Sequence, residues 1–466
     1  MYFNSSEKEN IIVIGGNVSG LAAASQARRN APDAEITVLE SGNYISYGTC
    51  GLPYFISGII DNIDRLFVYT PKFFEEERKI KILLNHKVMQ LNPQKREIFI
   101  QTAESSEQKI LNYDKLIICS GAVPFDLGID VSKLVNVFFF RNVKDALGLK
   151  NFIKENAPKK AVIVGAGSIG LLMAEALTAI GIKVTVLEKA QKIFGGFENE
   201  ISSILQKNMS AEGIDLILGT SIASALSEDN NLVKRITTNS EGILNTTETD
   251  LVILSAGIRA NTDFLKGTSI ELGKSGAIKT SPKLQTAYSN IYAAGDCACA
   301  KNIVTGKYDF IPTANNAAKT GRIAGDNITG GDIIFPGSAG TTVDQIFGFE
   351  IAKTGIGFDE AIDLNYNAVK ITGSYSSHAK VIPGAQTITA ALIVDFKTRK
   401  ILGAQMIGKE GAAKRIDTFA SAITFQMTID DVYMLDLSYS PGTSTVWDPV
   451  NKICGQALLE LSKRRF

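Results

Sequence analysis

The chain has 466 residues, of which 45% are hydrophobic and 21% charged, enough for about two to four globular domains. Lys+Arg and Asp+Glu both number 48, so the formal net charge is zero and no footprint for nucleic acid or an anionic membrane surface is present. No apolar run approaches the roughly 20 residues of a membrane helix, and the polar opening "MYFNSSEKEN" lacks a signal-peptide core, so a cytoplasmic protein is expected.

The first predicted unit is "NIIVIGGNVSGLAAASQARRNAPDAEITVLE". An apolar strand, Ile11 to Ile14, leads into a glycine turn, an alanine-rich helix and a second strand ending at Glu40, which is a βαβ unit. Gly15 and Gly20 permit a tight turn and close helix packing. The helix start offers N–H groups to a pyrophosphate, and Glu40 stands where an acid binds ribose hydroxyls. Asn17 replaces the middle glycine of the GxGxxG pattern.

Ten residues after Glu40 comes Cys50, in "SYGTCGLPY". The chain has five cysteines, Cys50, Cys119, Cys297, Cys299 and Cys454, and two histidines. An odd count at scattered spacings is neither a disulfide framework nor a zinc site. From the residues alone, Cys50 reads equally as a buried thiol or as a redox group, and the other four read as core filler. Gly51 and Pro53 suit a helix start, which is expected to lower the Cys50 pKa.

"KAVIVGAGSIGLLMAEALTAIGIKVTVLEK" repeats the pattern with Gly165, Gly167 and Gly170 complete and with Glu188 closing the second strand. Two such units in one chain make a far stronger signal than one. Glu188 favours a free 2′-hydroxyl, hence NADH over NADPH, while the adjacent Lys189 tempers that preference and leaves NADPH open. Further on, a short strand from Ile291 ends at Gly295-Asp296 before a helix of small residues. Gly295 is expected to approach a phosphate at a helix start, and the Asp296 carboxylate to accept from a ribityl hydroxyl. "ALIVDF" and "KILGAQMIG" then read as a β-hairpin, followed by a helix in "GAAKRIDTFASAITFQ".

Together these residues resemble the pyridine nucleotide-disulfide oxidoreductases over nearly the whole chain. The resemblance implies an α/β fold with two Rossmann-like domains and a C-terminal α+β dimerisation domain. The FAD domain would be 1–113 with 257–332, the NAD(P)H domain 114–256 and the dimerisation domain 333–466. It assigns Gly15, Gly20, Glu40, Gly295 and Asp296 to FAD, and Gly165, Gly167, Gly170 and Glu188 to NAD(P)H. "LIICSGAVP" near Gly121 (FAD side) and "LVILSAGIRAN" near Gly257 (NAD side) resemble the interdomain crossovers.

Within the family, one cysteine without a CxxxxC partner resembles the branch of coenzyme A-disulfide reductases, NADH oxidases, NADH peroxidases and persulfide or polysulfide reductases. The resemblance makes Cys50 the redox-active residue of a homodimeric enzyme that reduces a small disulfide, persulfide or polysulfide. Two alternatives stay open: an NADH oxidase reducing oxygen, and a flavoprotein donating electrons to a protein partner. Val18 stands where peroxidases and many oxidases carry histidine, which points to a disulfide-type substrate, since valine moves no proton. Leu172 replaces a family glutamate, with Glu175 one turn further on. Val381 and Ile382 replace a tyrosine, and Thr443 replaces the later tyrosine of a YxPPY pattern that retains Tyr439. Tyr439 is the remaining candidate substrate residue, together with His378, whose simpler reading is an exposed polar residue before a turn.

Overall fold

A computed structural model describes residues 8–102, 105–125, 127–227, 231–273 and 275–464; the expected outer limits at residues 1 and 466 lie outside them. Two runs of β-branched residues, each entering a glycine turn, become the middle strands of two parallel sheets. The first sheet has the order Ile291–Ala293, Lys115–Ile118, Asn10–Ile14, Glu35–Leu39, Ile80–Leu83, all parallel. The second has the order Asp215–Ile217, Lys183–Leu187, Lys160–Val164, Leu251–Leu254, Val137–Phe139, again parallel. In each, the strand entering the glycine turn has its βαβ partner on one side and a later strand on the other. That reversal opens a crevice at the strand's C-terminal end, where open α/β sheets bind ligands.

The repeat goes deeper than the two fingerprints. Each sheet carries an antiparallel three-stranded meander, His86–Asn92 with Glu97–Thr102 and Ser105–Asn112 in the first unit, and Ser221–Ser227 with Val233–Ser240 and Ile243–Glu248 in the second. The expected junction at residue 114 falls one strand early. Lys115–Ile118 pairs with Asn10–Ile14 and Ile291–Ala293, so it belongs to the first unit; its four-residue apolar run cannot by itself say which sheet takes it. The chain crosses between units just after it, where Ala122–Pro124 pairs antiparallel with Ile258–Ala260.

The C-terminal part is an antiparallel sheet in the order Thr342–Ile346, Phe349–Gly355, Ile401–Gly408, Thr387–Asp395, Ala368–Ser376. The expected hairpin is its Thr387–Asp395 and Ile401–Gly408 pair. Helices Ala412–Thr424 and Pro449–Lys463 close a core with Ile388, Met406, Phe419 and Ile453. Among the described residues no helix is long and apolar enough to cross a membrane.

Glu198 locks this sheet to the second unit. It is buried at the start of the helix Asn199–Ala211. Its N–H donates to Gln405 Oε1 at 2.6 Å, its Oε1 accepts from Phe358 N at 2.8 Å, and its Oε2 pairs with Lys370 Nζ at 3.1 Å. Glu198→Ala would strip the partly buried Phe358 N–H and a largely covered ammonium of their acceptor. A loss of about 2 kcal/mol is expected in urea unfolding, with Lys370 retaining Glu200 at 3.0 Å.

Candidate functional site

Gly15 ends the first strand at φ +109°, a conformation that excludes ordinary side chains. A Cβ on Gly20 would overlap the Gly15 carbonyl oxygen, so the first helix, Val18–Asn30, can start directly against the turn only with glycine there. Gly165 and Gly170 repeat both constraints before the helix Ser168–Ala179. The acids match as well. Glu40 Oε2 accepts from Gly16 N at 2.8 Å and its Oε1 from Gly42 N at 2.7 Å. Glu188 Oε2 accepts from Ala166 N at 2.7 Å and its Oε1 from Ala190 N at 2.8 Å. Each carboxylate is therefore fixed at the rim of its turn.

Asn17 does not break the first turn. Its φ of −114° suits any residue, and it caps the helix by accepting from Val18 N at 3.0 Å. Neither helix has an acid in its first turn, and a Cβ on Gly167 would meet nothing within 4 Å. A braced acid at each turn, with open space at Gly167 in the second, fits one dinucleotide per turn.

Gly295 and Asp296 do not start a helix as expected. They form a three-residue 3-10 turn, Gly295–Cys297, and the small-residue helix begins only at Ala314. Gly295 instead sits on the first helix beside Ser19, and its N–H donates to Thr320 Oγ1 at 3.0 Å. Asp296 reaches the rim of the first crevice, where Arg141 Nη2 binds its Oδ2 at 3.0 Å. Gly121 and Gly257 flank the two crossing segments, each two residues beyond a residue packed on a glycine turn, Cys119 on Gly15 and Ser255 on Gly165.

Cys50 lies in a short turn, Thr49–Gly51, leading into the helix Leu52–Ser57 with Pro53 in its first turn. Its side chain is exposed, whereas Cys119, Cys297, Cys299 and Cys454 are buried. Three units converge on it: Asp296 from the first, Arg141 from the second and Asp344 from the C-terminal strand Thr342–Ile346 all act on its charge. The expected lowering of its pKa is not found. Although the sulfur meets solvent, the surrounding cleft walls push the thiol up; Asp344 and Asp296 add to that, and Arg141 opposes it. A helix of six residues presents too little aligned dipole to reverse those effects.

That helix is tied to the second unit. Lys150 Nζ donates to Phe55 O and Ile56 O, both at 2.9 Å, and lies 5.2 Å from the Phe55 ring centre. Leu172 is buried with Leu52, Phe55 and Ile56, so it supports the cysteine helix through packing. Glu175 accepts a backbone hydrogen bond from Phe347, in the turn after Thr342–Ile346, and burial raises its pKa. Val18 is 42% exposed at the start of the first helix.

His378 is not an exposed residue before a turn: it is only 5% exposed, with Nδ1 3.2 Å from Ala379 O. The chain beside it is joined to that of the exposed Tyr439, since Ala379 N donates to Pro441 O at 3.1 Å. Neither residue is among the groups acting on Cys50 of the same chain. Sequence reasoning missed Arg141, Lys150 and Asp344. Only Arg141 left a signal, as a cation at the end of the apolar run "VFFF".

The raised pKa makes alkylation of Cys50 by iodoacetamide climb at a pH above that of an ordinary cysteine, because the thiolate is the reactive form. Arg141→Met should move the inflection higher still, by removing the opposing cation and freeing Asp296; a pH–rate profile of the cofactor-free protein measures it.

Residues 9–321 match the family model described as pyridine nucleotide-disulphide oxidoreductase, and residues 345–449 match the dimerisation domain of that family. The chain is 33% identical over 445 residues to an NAD(P)H sulfur oxidoreductase (CoA-dependent) of Pyrococcus furiosus, covering 95% of this chain and 98% of that protein. It is 31% identical over 457 residues to an NADH oxidase of Methanocaldococcus jannaschii, covering 97% and 99%. The solved structure of an NAD-dependent persulfide reductase from A. fulgidus superposes with a TM-score of 0.92 at 32% identity, covering 97% of this chain and 84% of that one. A family match across both the nucleotide-binding units and the C-terminal sheet makes this chain a member of the pyridine nucleotide-disulphide oxidoreductases, which use FAD and NAD(P)H.

Proposed function

We propose that the protein is an FAD-dependent NAD(P)H oxidoreductase that reduces a small disulfide, persulfide or polysulfide through Cys50. One observation carries this reading: the single exposed thiol among five cysteines stands where the two nucleotide units and the C-terminal sheet meet. FAD belongs to the first turn, with Gly15, Gly20 and Glu40, and to Gly121, Gly295 and Asp296. NAD(P)H belongs to Gly165, Gly167, Gly170, Glu188 and Gly257, with the acid favouring NADH. Bound FAD supplies the two-electron relay between the nicotinamide and sulfur.

The chain supplies the sulfur chemistry. The Cys50 thiolate attacks a disulfide RSSR, forming Cys50–S–S–R and releasing RS⁻. A hydride equivalent from NAD(P)H and one proton then give Cys50–SH, RSH and NAD(P)⁺. With no second reactive cysteine at hand, the mate in the mixed disulfide comes from the substrate. Lys150 and Leu172 hold the helix that follows the sulfur, and Arg141 supplies the cation that favours its thiolate.

The working assembly in this reading is a homodimer in the cytoplasm. Phe425, Met434, Val446 and Leu459 in the C-terminal part are all at least 66% exposed, apolar side chains that a second copy would cover. In this reading Tyr439 and His378, which belong to that part, act from the partner subunit. Oxygen reduction is the second reading, favoured by the likeness to the Methanocaldococcus jannaschii NADH oxidase. Val18 weighs against it, since no proton donor stands at that place in the first turn.

Cys50→Ser separates the two. It should abolish NADH-dependent disulfide or persulfide turnover while leaving oxygen consumption by the reduced flavoprotein measurable. Equal disulfide reduction by the variant and the parent enzyme would refute the cysteine's role.

A further inference from the structure

The strand Thr342–Ile346 of the C-terminal sheet lies on the second nucleotide helix, Ser168–Ala179. Ile346 is fully buried in one core with Leu171, Leu172 and Met173 of that helix. Asp344, two residues earlier, shares the strand face of Ile346, so it is presented to the same helix. There its Oδ1 accepts from Ser168 Oγ at 2.6 Å. Ser168 is the first residue of the helix, and Gly167, its N-cap, has no side chain to cap the turn. The first-turn amides are the groups a pyrophosphate uses, and a carboxylate from another unit is fixed beside them. Burial raises its pKa, the serine hydroxyl opposes that, and no cation acts on it among the described residues. The first turn is built otherwise: Val18 stands where Ser168 does, and without a hydroxyl it holds no such group.

We propose that Asp344 is an affinity-setting residue of the nicotinamide-nucleotide site, whose carboxylate weakens the hold of the second glycine turn on pyrophosphate. The inference rests on that turn holding NAD(P)H, and not on the role of Cys50. Covalent geometry bounds the distance. Oγ and N of one serine are about 3 Å apart and an N–H···O bond spans about 3 Å, so an anion on the Ser168 amide lies within about 9 Å of Asp344. Like charges at that range repel, and salt screens only part of the effect in a half-solvated cleft. The reduced and the oxidised nucleotide both carry the pyrophosphate, so the penalty falls on both alike. It raises KM for the nucleotide without touching hydride transfer. A site that must take one form and release the other in every cycle is served by holding neither tightly.

Binding of ADP-ribose, which keeps the pyrophosphate without the nicotinamide, is measured by calorimetry on the FAD-loaded holoenzyme. Asp344→Asn removes the charge and keeps an oxygen to accept from Ser168. It is expected to tighten ADP-ribose about fivefold, the order of one carboxylate against a doubly charged group at that range. Adenosine, which has no phosphate, should bind both forms equally. Added salt should narrow the difference for ADP-ribose. Asp344→Thr, another acceptor and one suited to a strand, should give the same gain and serves where Asp344→Asn folds poorly. With ferricyanide, which draws electrons from the flavin without Cys50, KM for NADH should fall in the variants and kcat should not rise. Unchanged ADP-ribose affinity in the variants, or an equal gain for adenosine, overturns the role of Asp344. Failure of the nucleotide assignment would show differently, as a Glu188→Ala variant that binds ADP-ribose as tightly as the parent.

Discussion

The structure depends on backbone-to-backbone contact that only glycine allows. The first helix begins against the carbonyl of Gly15, and the helix Ala314–Asn327 lies against it so closely that Gly321 faces the Ser19 carbonyl and Gly325 the Ala23 carbonyl. Helices at such range leave no room for side chains between them, so a shift of one would require moving the other. This rigid pair fixes the Gly295–Asp296 turn through Thr320 and sets the rim of the first crevice. The second unit uses the same contact at Gly170, with Ser255 closing it from a neighbouring strand.

Duplication gives the molecule two similar crevices, but the chemistry lies in what differs between them. The first unit inserts Cys50 and its short helix between its second and third strands; the equivalent stretch of the second unit, after Glu188, carries no cysteine and instead runs through Phe194 and Phe197 to Glu198 at the C-terminal sheet. One copy thus carries the reacting sulfur, and the other docks the third unit. That third unit then returns to the site through Asp344. A chain of links results: first unit to second through Arg141 and Asp296, first to second again through Lys150, and second to third through Ser168 and Asp344.

Thiol reactivity in such a place is a compromise. Dry walls and two carboxylates oppose the thiolate, while a single arginine favours it. A thiol that resists ionisation is slower to attack but also slower to be lost to stray oxidants, since the thiolate is the form that oxidises.

Much of this was legible in the sequence. The two strand–turn–helix–strand runs, their terminal acids, the C-terminal hairpin and the singular place of Cys50 follow from periodicity and spacing within thirty or so residues, because local backbone geometry imposes them. What lay beyond reach involved partners far apart in the chain. A four-residue apolar run such as Lys115–Ile118 fits either sheet until the sheets exist, which is why the unit boundary fell early. Gly295–Asp296 looked like a helix start because the intervening turn leaves no periodic trace. The Cys50 pKa was misjudged for the same reason: a helix start is a local feature, whereas burial and the charges of Arg141, Asp296 and Asp344 come from residues 91 to 294 positions away and exist at the sulfur only after the three units have packed.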